Sequence, residues 1–264
     1  MSEWRSSSRK RKDRAGKQRQ AERAHTEEQA QHLGAIAESP IFQRVLVAQR
    51  KSVGDILRQN SDHQGVVAAA VDTLSVSDYL AREHLKVLPP EHAPACREGC
   101  HHCCYLRVQA SVPEVFLLAQ WLQARREAGD FELLRAKLRT ASADPRVLSL
   151  TDKPKQRIPC VLLEDGACSA YAGRPLACRG FTSTDAELCR RSLDDNGPVS
   201  ADAFLLRVYN GAGQGLARAF ADAGLGSEIV ELTRALDIVL NEPNVFERWS
   251  AGEAVFERAR VDRA

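Results

Sequence analysis

Nine consecutive residues contain half of the eight cysteines in this 264-residue chain: Cys96-Arg97-Glu98-Gly99-Cys100-His101-His102-Cys103-Cys104. Gaps of two and three residues between cysteines allow one short loop to present several sulfur atoms to a single centre. Such convergence is needed because a metal–sulfur bond is only about 2.3 Å long. Since thiolates are soft ligands that select zinc, copper(I) or iron–sulfur clusters, the stretch predicts a metal site on a loop.

The other four cysteines follow after a gap of 55 residues and are more widely spaced: Cys160, Cys168, Cys178 and Cys189. We expect the two cysteine stretches to close over one metal or cluster site. The chain begins without an apolar signal-peptide region, and apolar residues never run for the roughly 18 positions that a membrane span needs. We therefore expect a cytoplasmic protein with no membrane span, in which clustered cysteines bind metal rather than form disulfides.

The spacing alone leaves the identity of the metal open. Zinc prefers four tetrahedral ligands, commonly from two Cys-x-x-Cys knuckles, and Cys100 and Cys103 form only one. An iron–sulfur cluster needs thiolates on loops whose backbone approaches the sulfurs closely, which Gly99 and Gly180 permit. The Cys96-x3-Cys100-x2-Cys103 spacing is also that of radical-SAM enzymes. We give that interpretation little weight because those enzymes resemble a β/α barrel, whereas this chain predicts helix after helix.

The helical prediction rests on apolar residues that recur at spacings of three and four. In residues 36–88 the pattern is interrupted at Asn60-Ser61-Asp62, and Ser77-Asp78 predicts the start of a third helix. Pro89-Pro90 ends this region because proline cannot continue a helix. Similar patterns cover residues 199–220 and 229–240.

The middle of the chain predicts two more helices and a small hairpin. Ser111 and Glu114 form a capping box that begins one helix, and Gly129 is its expected end. A second helix follows with Phe131, Leu134 and Leu138 on its buried side. Glu164-Asp165-Gly166 is a turn signal between two short apolar runs. The predicted fold is therefore mainly α, a helical domain with a loop and short-hairpin cysteine-rich metal site.

Residues 33–264 are predicted to form this single α-rich domain, with the chelating core at about residues 94–190. The segment Gly211-Ala212-Gly213-Gln214-Gly215 lacks the G-x-G-x-x-G spacing of a nucleotide-binding loop and follows no predicted strand. We expect its small residues to allow close contact between helices instead.

Residues 1–32 predict a basic, disordered tail, because they contain almost no large apolar residue after Trp4. Residues 5–23 hold nine Arg or Lys residues against Asp13 and Glu22. Contact with nucleic acid is one interpretation of this charge. We favour a solubilising tail, since no aromatic residues that could stack on bases are interleaved with the charges.

The second cysteine stretch carries a composite motif: Pro159-Cys160, then Cys168-Ser169-Ala170-Tyr171, then Arg174-Pro175-Leu176-Ala177-Cys178-Arg179. Together with the double cysteine upstream, this motif resembles the CxxCxxCC family, also called YkgJ-like cysteine cluster proteins, a zinc- or iron-chelating domain. The resemblance covers residues 96–104 and 159–189 and excludes the tail. One extra residue between Cys96 and Cys100 departs from the short name of the family.

The resemblance implies a bacterial-type metal-binding protein that holds a zinc ion or an iron–sulfur cluster in a structural or redox role. Arg174 and Arg179 are expected to donate hydrogen bonds to thiolates and to offset their negative charge, with ordinary loop salt bridges as the alternative. For Tyr171 the two interpretations are a hydrogen bond from its hydroxyl and packing over the site. His101 and His102 are expected to face solvent. The implied ligand pool is Cys96, Cys100, Cys103, Cys104, Cys160, Cys168, Cys178 and Cys189, with Cys189 outside the core motif.

The same family includes flagellin lysine N-methylases, so the enzyme alternative is iron–sulfur-dependent group transfer such as methylation of a protein substrate. The sequence identifies no catalytic residue for such a reaction. A third alternative is a nucleic-acid-binding module that uses the basic tail.

Overall fold

A computed structural model describes residues 34–147, 157–195, 199 and 201–261 of the protein. The predicted basic tail lies outside these residues. The helices are α1 (Pro40–Gln59), α2 (His63–Val87), α3 (Val112–Arg125), α4 (Ala128–Ser142), α5 (Leu176–Gly180), α6 (Ala186–Asp195), α7 (Ala203–Asp222), α8 (Leu232–Asn241) and α9 (Val245–Ser250). The strands are β1 (Gln109–Ser111), β2 (Leu163–Glu164), β3 (Ala167–Cys168) and β4 (Ile229–Glu231). Short 3₁₀ turns cover Pro90–His92, His102–Tyr105, Pro145–Val147, Tyr171–Gly173 and Glu257–Ala259.

The mainly α prediction is confirmed, and the break between α1 and α2 lies where the sequence places it. The Asp62 carboxylate accepts hydrogen bonds from the backbone N–H groups of Gln64 and Gly65 and thereby caps α2. A Cβ atom on Gly65 would collide with the Asn60 carbonyl, so this tight connection requires glycine.

The predicted third helix start at Ser77 is wrong, because α2 continues through it to Val87. The buried Ser77 hydroxyl donates to the Thr73 carbonyl within the helix, so its hydrogen bond is satisfied without a cap. The prediction that Gly129 ends α3 is also wrong. Helix α3 ends at Arg125, and Gly129 belongs to the first turn of α4.

Helix α7 packs closely against α1 through its glycines, as the small-residue interpretation predicted. A Cβ atom on Gly211 would lie 2.8 Å from the Phe42 carbonyl oxygen, and one on Gly215 would lie 2.7 Å from that of Leu46. These distances are shorter than normal van der Waals contact. The two backbones can therefore approach this closely only without side chains at these positions.

Two short strands join distant parts of the chain and set the position of the central helices. Strand β1 pairs antiparallel with β4, with Ala110 opposite Val230. Each strand leads directly into a helix, β1 into α3 and β4 into α8. The beginnings of α3 and α8 consequently lie side by side, and Val112, Leu118, Leu232 and Leu236 from these helices belong to one buried apolar core.

The predicted hairpin is present as β2 and β3, with Leu163 opposite Cys168. Asp165 and Gly166 both adopt positive φ angles, 48° and 76°, which is the pattern of the tight two-residue turns that join hairpin strands. The Arg126 guanidinium, just after α3, donates to the Glu164 carboxylate at 2.9 Å and to the Ser169 hydroxyl at 2.8 Å. The hairpin is thus fixed against the end of a core helix.

Among the residues that the structure describes, none of the helices combines the length and the apolar character that crossing a membrane requires.

Candidate metal centre

Backbone hydrogen bonds join the two cysteine stretches. The Cys160 N–H donates to the Cys104 carbonyl at 2.7 Å, and the Ala95 N–H donates to the Ser183 carbonyl at 2.8 Å. Both links connect the first stretch to a residue at least 55 positions further along the chain. They hold the loop that carries the first four cysteines directly against the segment that carries the other four.

Six of the eight cysteines line one small cavity of about 40 Å³: Cys100, Cys103, Cys104, Cys160, Cys168 and Cys178. Much of the remaining wall is apolar and comes from Val108, Leu118, Leu162 and Leu232. Two of these, Leu118 and Leu232, lie on α3 and α8. The cavity therefore lies between the cysteine loops and the beginnings of the two core helices.

Each group of cysteines is carried by a short element with little regular structure of its own. Cys103 and Cys104 lie in the 3₁₀ turn of His102–Tyr105, which follows a left-handed Gly99 with φ of 88°. Cys160 precedes the hairpin, and Cys168 ends strand β3. Cys178 lies in the five-residue helix α5.

Glu114 anchors α5 to the core. Its carboxylate accepts from the N–H and the hydroxyl of Ser111, which completes the predicted capping box, and also from the N–H of Leu176 at 2.7 Å. The capping motif was readable from the sequence. The contact to Leu176 was not, because it joins residues 62 positions apart.

Arg174 and Tyr171 also line the cavity. The Arg174 guanidinium carbon lies 3.6 Å from the centroid of the Tyr171 ring, and its Nε donates to the Tyr171 carbonyl at 2.9 Å. Stacking on the ring and bonding to the carbonyl hold the side chain in one position. A fixed positive charge thus lies beside the six thiols.

Arg179 does not line the cavity and instead braces the loop around Arg174. Its Nη1 donates to Asp78 Oδ2 at 2.7 Å, across to helix α2, and its Nε donates to the Arg174 carbonyl at 2.6 Å. A further hydrogen bond goes to the Ala172 carbonyl. Tyr209 donates its hydroxyl to the other Asp78 oxygen at 2.8 Å. For Arg179, the structure thus contains the salt bridge that was the alternative prediction.

Cys96 and Cys189 lie outside the cavity wall. The Cys96 sulfur accepts a hydrogen bond from the Ser183 N–H at 3.2 Å, and Cys189 is buried in α6. Ser183 itself is buried, and its side chain forms a hydrogen bond with Cys189. No sequence signal pointed to Ser183, since a single serine between two cysteine positions is unremarkable in composition.

Residues 95–196 match the model of the CxxCxxCC family, which is described as a "putative zinc- or iron-chelating domain". The cysteine-rich segment belongs to the CxxCxxCC family. All eight cysteines fall within the matched residues. Comparisons of the chain with curated proteins and with solved structures gave no match.

Burial keeps several thiols of the CxxCxxCC segment protonated at neutral pH. It raises the pKa of Cys160 to about 11. It also raises the pKa of Cys168 and Cys178, and the positive charge of Arg174 partly opposes this increase. For Cys103, a hydrogen bond with Cys104 is the largest cause of a raised pKa, followed by burial. Since thiolates are the ligand form, metal binding here must release protons.

The donor set of the CxxCxxCC segment fits a thiophilic metal. Within the described residues, which include all eight cysteines, none of the thiols is paired in a disulfide. In the same residues, no three His, Cys, Asp or Glu side chains are already drawn together as a ligand set. Six soft donors, one fixed cation and an apolar wall nevertheless match the chemistry of a zinc or iron–sulfur site. Some convergence of the sulfurs must accompany binding.

His101 and His102 are half-buried rather than solvent-facing, so that expectation needs correction. Their ring centroids lie 4.9 Å apart, and neither ring lines the cavity. Burial lowers the pKa of His102, with the neighbouring charges of His101 and Arg190 acting in the same direction. The 3₁₀ turn of His102–Tyr105 packs against α6.

Proposed function

We propose that this protein binds zinc or an iron–sulfur cluster through thiolates of the six cavity cysteines, and that the bound metal fixes the cysteine loops to the helical core. The observation that carries the proposal is that these six cysteines and Arg174 line one cavity. Cys96 and Cys189 are outer cysteines that support the loops without reaching the centre.

The number of donors supports either a single metal with reserve thiols or a polynuclear centre. A structural zinc ion takes four ligands, whereas six cysteines surround the cavity. The adjacent Cys103 and Cys104 both line the cavity, although successive side chains of a 3₁₀ turn point about 120° apart. Shared or additional thiolates are what a two-metal site or a cluster would use.

Charge balance favours Arg174 as the residue that stabilises the bound state. Four thiolates around one divalent zinc ion leave a net charge of about −2 at the site. A guanidinium at the cavity wall offsets part of that charge, and hydrogen bonds to ligand sulfurs tune metal sites in the same way. Tyr171 serves by holding the guanidinium in place.

A structural role is the one that the surrounding elements support best. The cavity cysteines lie on a 3₁₀ turn, a two-residue strand, a five-residue helix and loop, and these elements have few backbone hydrogen bonds of their own. Metal binding would supply the free energy that orders them, as it does in small zinc-dependent domains. Eight unpaired thiols also support a reducing compartment such as the cytoplasm.

The test is metal and acid-labile sulfide analysis of protein purified without oxygen, with a visible spectrum. We compare wild type with Cys178→Ser and with the matched control Cys189→Ser, which removes a thiol outside the cavity. We expect wild type and Cys189→Ser to hold near-stoichiometric metal and Cys178→Ser to lose most of it.

Iron with sulfide and brown colour would identify a cluster, and colourless protein with zinc would identify a thiolate zinc site. A folded wild-type protein without metal would contradict the proposal. Equal loss of metal in both variants would contradict the assignment of the six cavity cysteines.

A further inference from the structure

The two outer cysteines, Cys96 and Cys189, are held by the same buried residue, Ser183. The Cys96 sulfur accepts the Ser183 N–H at 3.2 Å, and the Ser183 side chain forms a hydrogen bond with Cys189. A second link fixes the same place, since the Ala95 N–H donates to the Ser183 carbonyl at 2.8 Å. Contacts between distant parts of the chain thus bring a pair of thiols together outside the cysteine cavity.

Cys100 is the third thiol of this outer group. Burial is the largest cause of the raised pKa of Cys96, and the neighbouring thiols Cys100, Cys103 and Cys189 raise it further. Burial is also the largest cause for Cys189, and Cys100 and Cys103 again add to it. Because one thiolate raises the pKa of another only at short range, these effects agree with the hydrogen bonds in placing Cys96, Cys100 and Cys189 together.

We propose that Cys96, Cys100 and Cys189 form a second, exchangeable site for a thiophilic ion such as zinc. The inference adds a site to the proposed function, and the first centre does not need these three residues. Five cysteines remain on the cavity wall when Cys100 is assigned to the outer group, whereas a structural zinc ion takes four ligands.

The second site is open where the first is enclosed. Three sulfurs leave one position of a tetrahedral zinc ion to water, which is the arrangement of zinc sites that exchange ligands. Residues 97–99, between Cys96 and Cys100, are all exposed. The purified protein therefore retains its first metal and takes up the second only when zinc is added, so Cys189→Ser still holds the retained metal.

The three sulfurs must move closer together to bind an ion. Over residues 34–147, 157–195, 199 and 201–261, no three side chains of ligand type already surround a common point. The loop of Cys96–Cys100 has room for this movement. Gly99 has a φ of 88°, and a Cβ built there would meet no atom within 4 Å. The loop can therefore shift Cys100 toward the pair on Ser183 without a collision at Gly99.

The experiment is a zinc titration of the full chain, purified without oxygen and with its retained metal measured beforehand. The variants are Cys96→Ser and Cys189→Ser. Ser192→Ala is the matched control, because Ser192 lies one turn after Cys189 on α6 and its hydroxyl donates to the Cys189 carbonyl at 2.8 Å. Alkylation of each cysteine, followed by peptide mass spectrometry, gives a second measurement that needs no variant.

We expect wild type and Ser192→Ala to bind one further zinc ion per chain saturably. The dissociation constant of this ion should be at least about tenfold larger in Cys96→Ser and Cys189→Ser, because changes to residues around a ligand alone cost about 10–100-fold in affinity. Added zinc should also protect Cys96 and Cys100 of wild type from alkylation.

Three results would overturn the proposal: no further zinc in wild type, equal affinity in the two cysteine variants, or zinc binding that leaves the alkylation of Cys96 and Cys100 unchanged. Failure of the first centre has a different signature, since it appears as protein without retained metal before any zinc is added.

Discussion

Replacement of Arg179 by methionine tests whether this arginine braces the metal loop or acts on the thiolates directly. The side chain is only 14 % exposed and its partner Asp78 is 27 % exposed. Arg179→Met removes the ion pair with Asp78 and the hydrogen bonds to the Arg174 and Ala172 carbonyls. Methionine keeps much of the apolar stem, so the change isolates the polar contacts.

The expected cost follows from these exposures. Breaking a fully buried ion pair costs about 3–5 kcal/mol in free energy of unfolding, because the remaining charge is left without a partner. Asp78 keeps the Tyr209 hydroxyl and some access to water, which reduces that cost. We therefore expect Arg179→Met to lower the free energy of unfolding by about 2–3 kcal/mol.

The assay is urea unfolding, with and without a metal chelator. Arg190→Met is the control, because Arg190 is 53 % exposed and paired with Glu187 on the same helix. We expect its effect to stay within about 0.5 kcal/mol. Bracing predicts a similar loss for Arg179→Met in metal-loaded and metal-free protein. A loss confined to the metal-loaded protein would refute this reasoning and assign Arg179 to the thiolates.

Three further predictions concern the scaffold. Gly211→Ala should lower the free energy of unfolding, measured in urea, by about 1–3 kcal/mol, because its Cβ would meet the Phe42 carbonyl. The control Gly54→Ala in α1 should be neutral or stabilising. Equal effects of the two substitutions would contradict the close packing of α1 and α7. Gly166→Ala should destabilise the hairpin by about 1 kcal/mol, since its φ is 76°, and a neutral result would argue against this turn. Burial raises the pKa of Glu114 above its ordinary 4.5. Ionisation of Glu114 is therefore disfavoured in the folded state. The free energy of unfolding of wild type should fall relative to that of Glu114→Gln as the pH rises from about 4.5 through the raised pKa. A difference between the two proteins that does not change with pH would contradict this prediction.

Local features of the fold were predictable because they depend on neighbouring residues. The Ser111 and Glu114 capping box, the break at Asn60–Asp62 and the turn at Gly166 each satisfy backbone groups within a few positions. Ser77 shows the limit of the same logic. It resembles a helix start in sequence, but its hydroxyl bonds back to Thr73, and the helix continues.

The sequence predicted that cysteines form the candidate metal site, but it did not predict which of the eight line the cavity. Spacing and motif placed all eight cysteines in one pool, with Cys189 outside the core motif, and nothing local separates Cys96 from the six cysteines that line the cavity. The separation arises from contacts between distant residues, such as Cys160 with Cys104 and Ser183 with Cys96. The contact between Val108 and Leu232, which both line the cavity, arises in the same way, since the Leu232 N–H donates to the Val108 carbonyl next to the β1–β4 pairing.

The pairing of β1 with β4 brings together residues that are made at different times during synthesis. The wall of the cysteine cavity includes Leu232, which is made 128 residues after Cys104. At about 5–20 residues per second, the first four thiols precede that wall by roughly 6–26 seconds. During this interval the nascent chain presents a run of thiols that the finished protein half-buries. A metal ion supplied in that period would find its first ligands before the fold that encloses it.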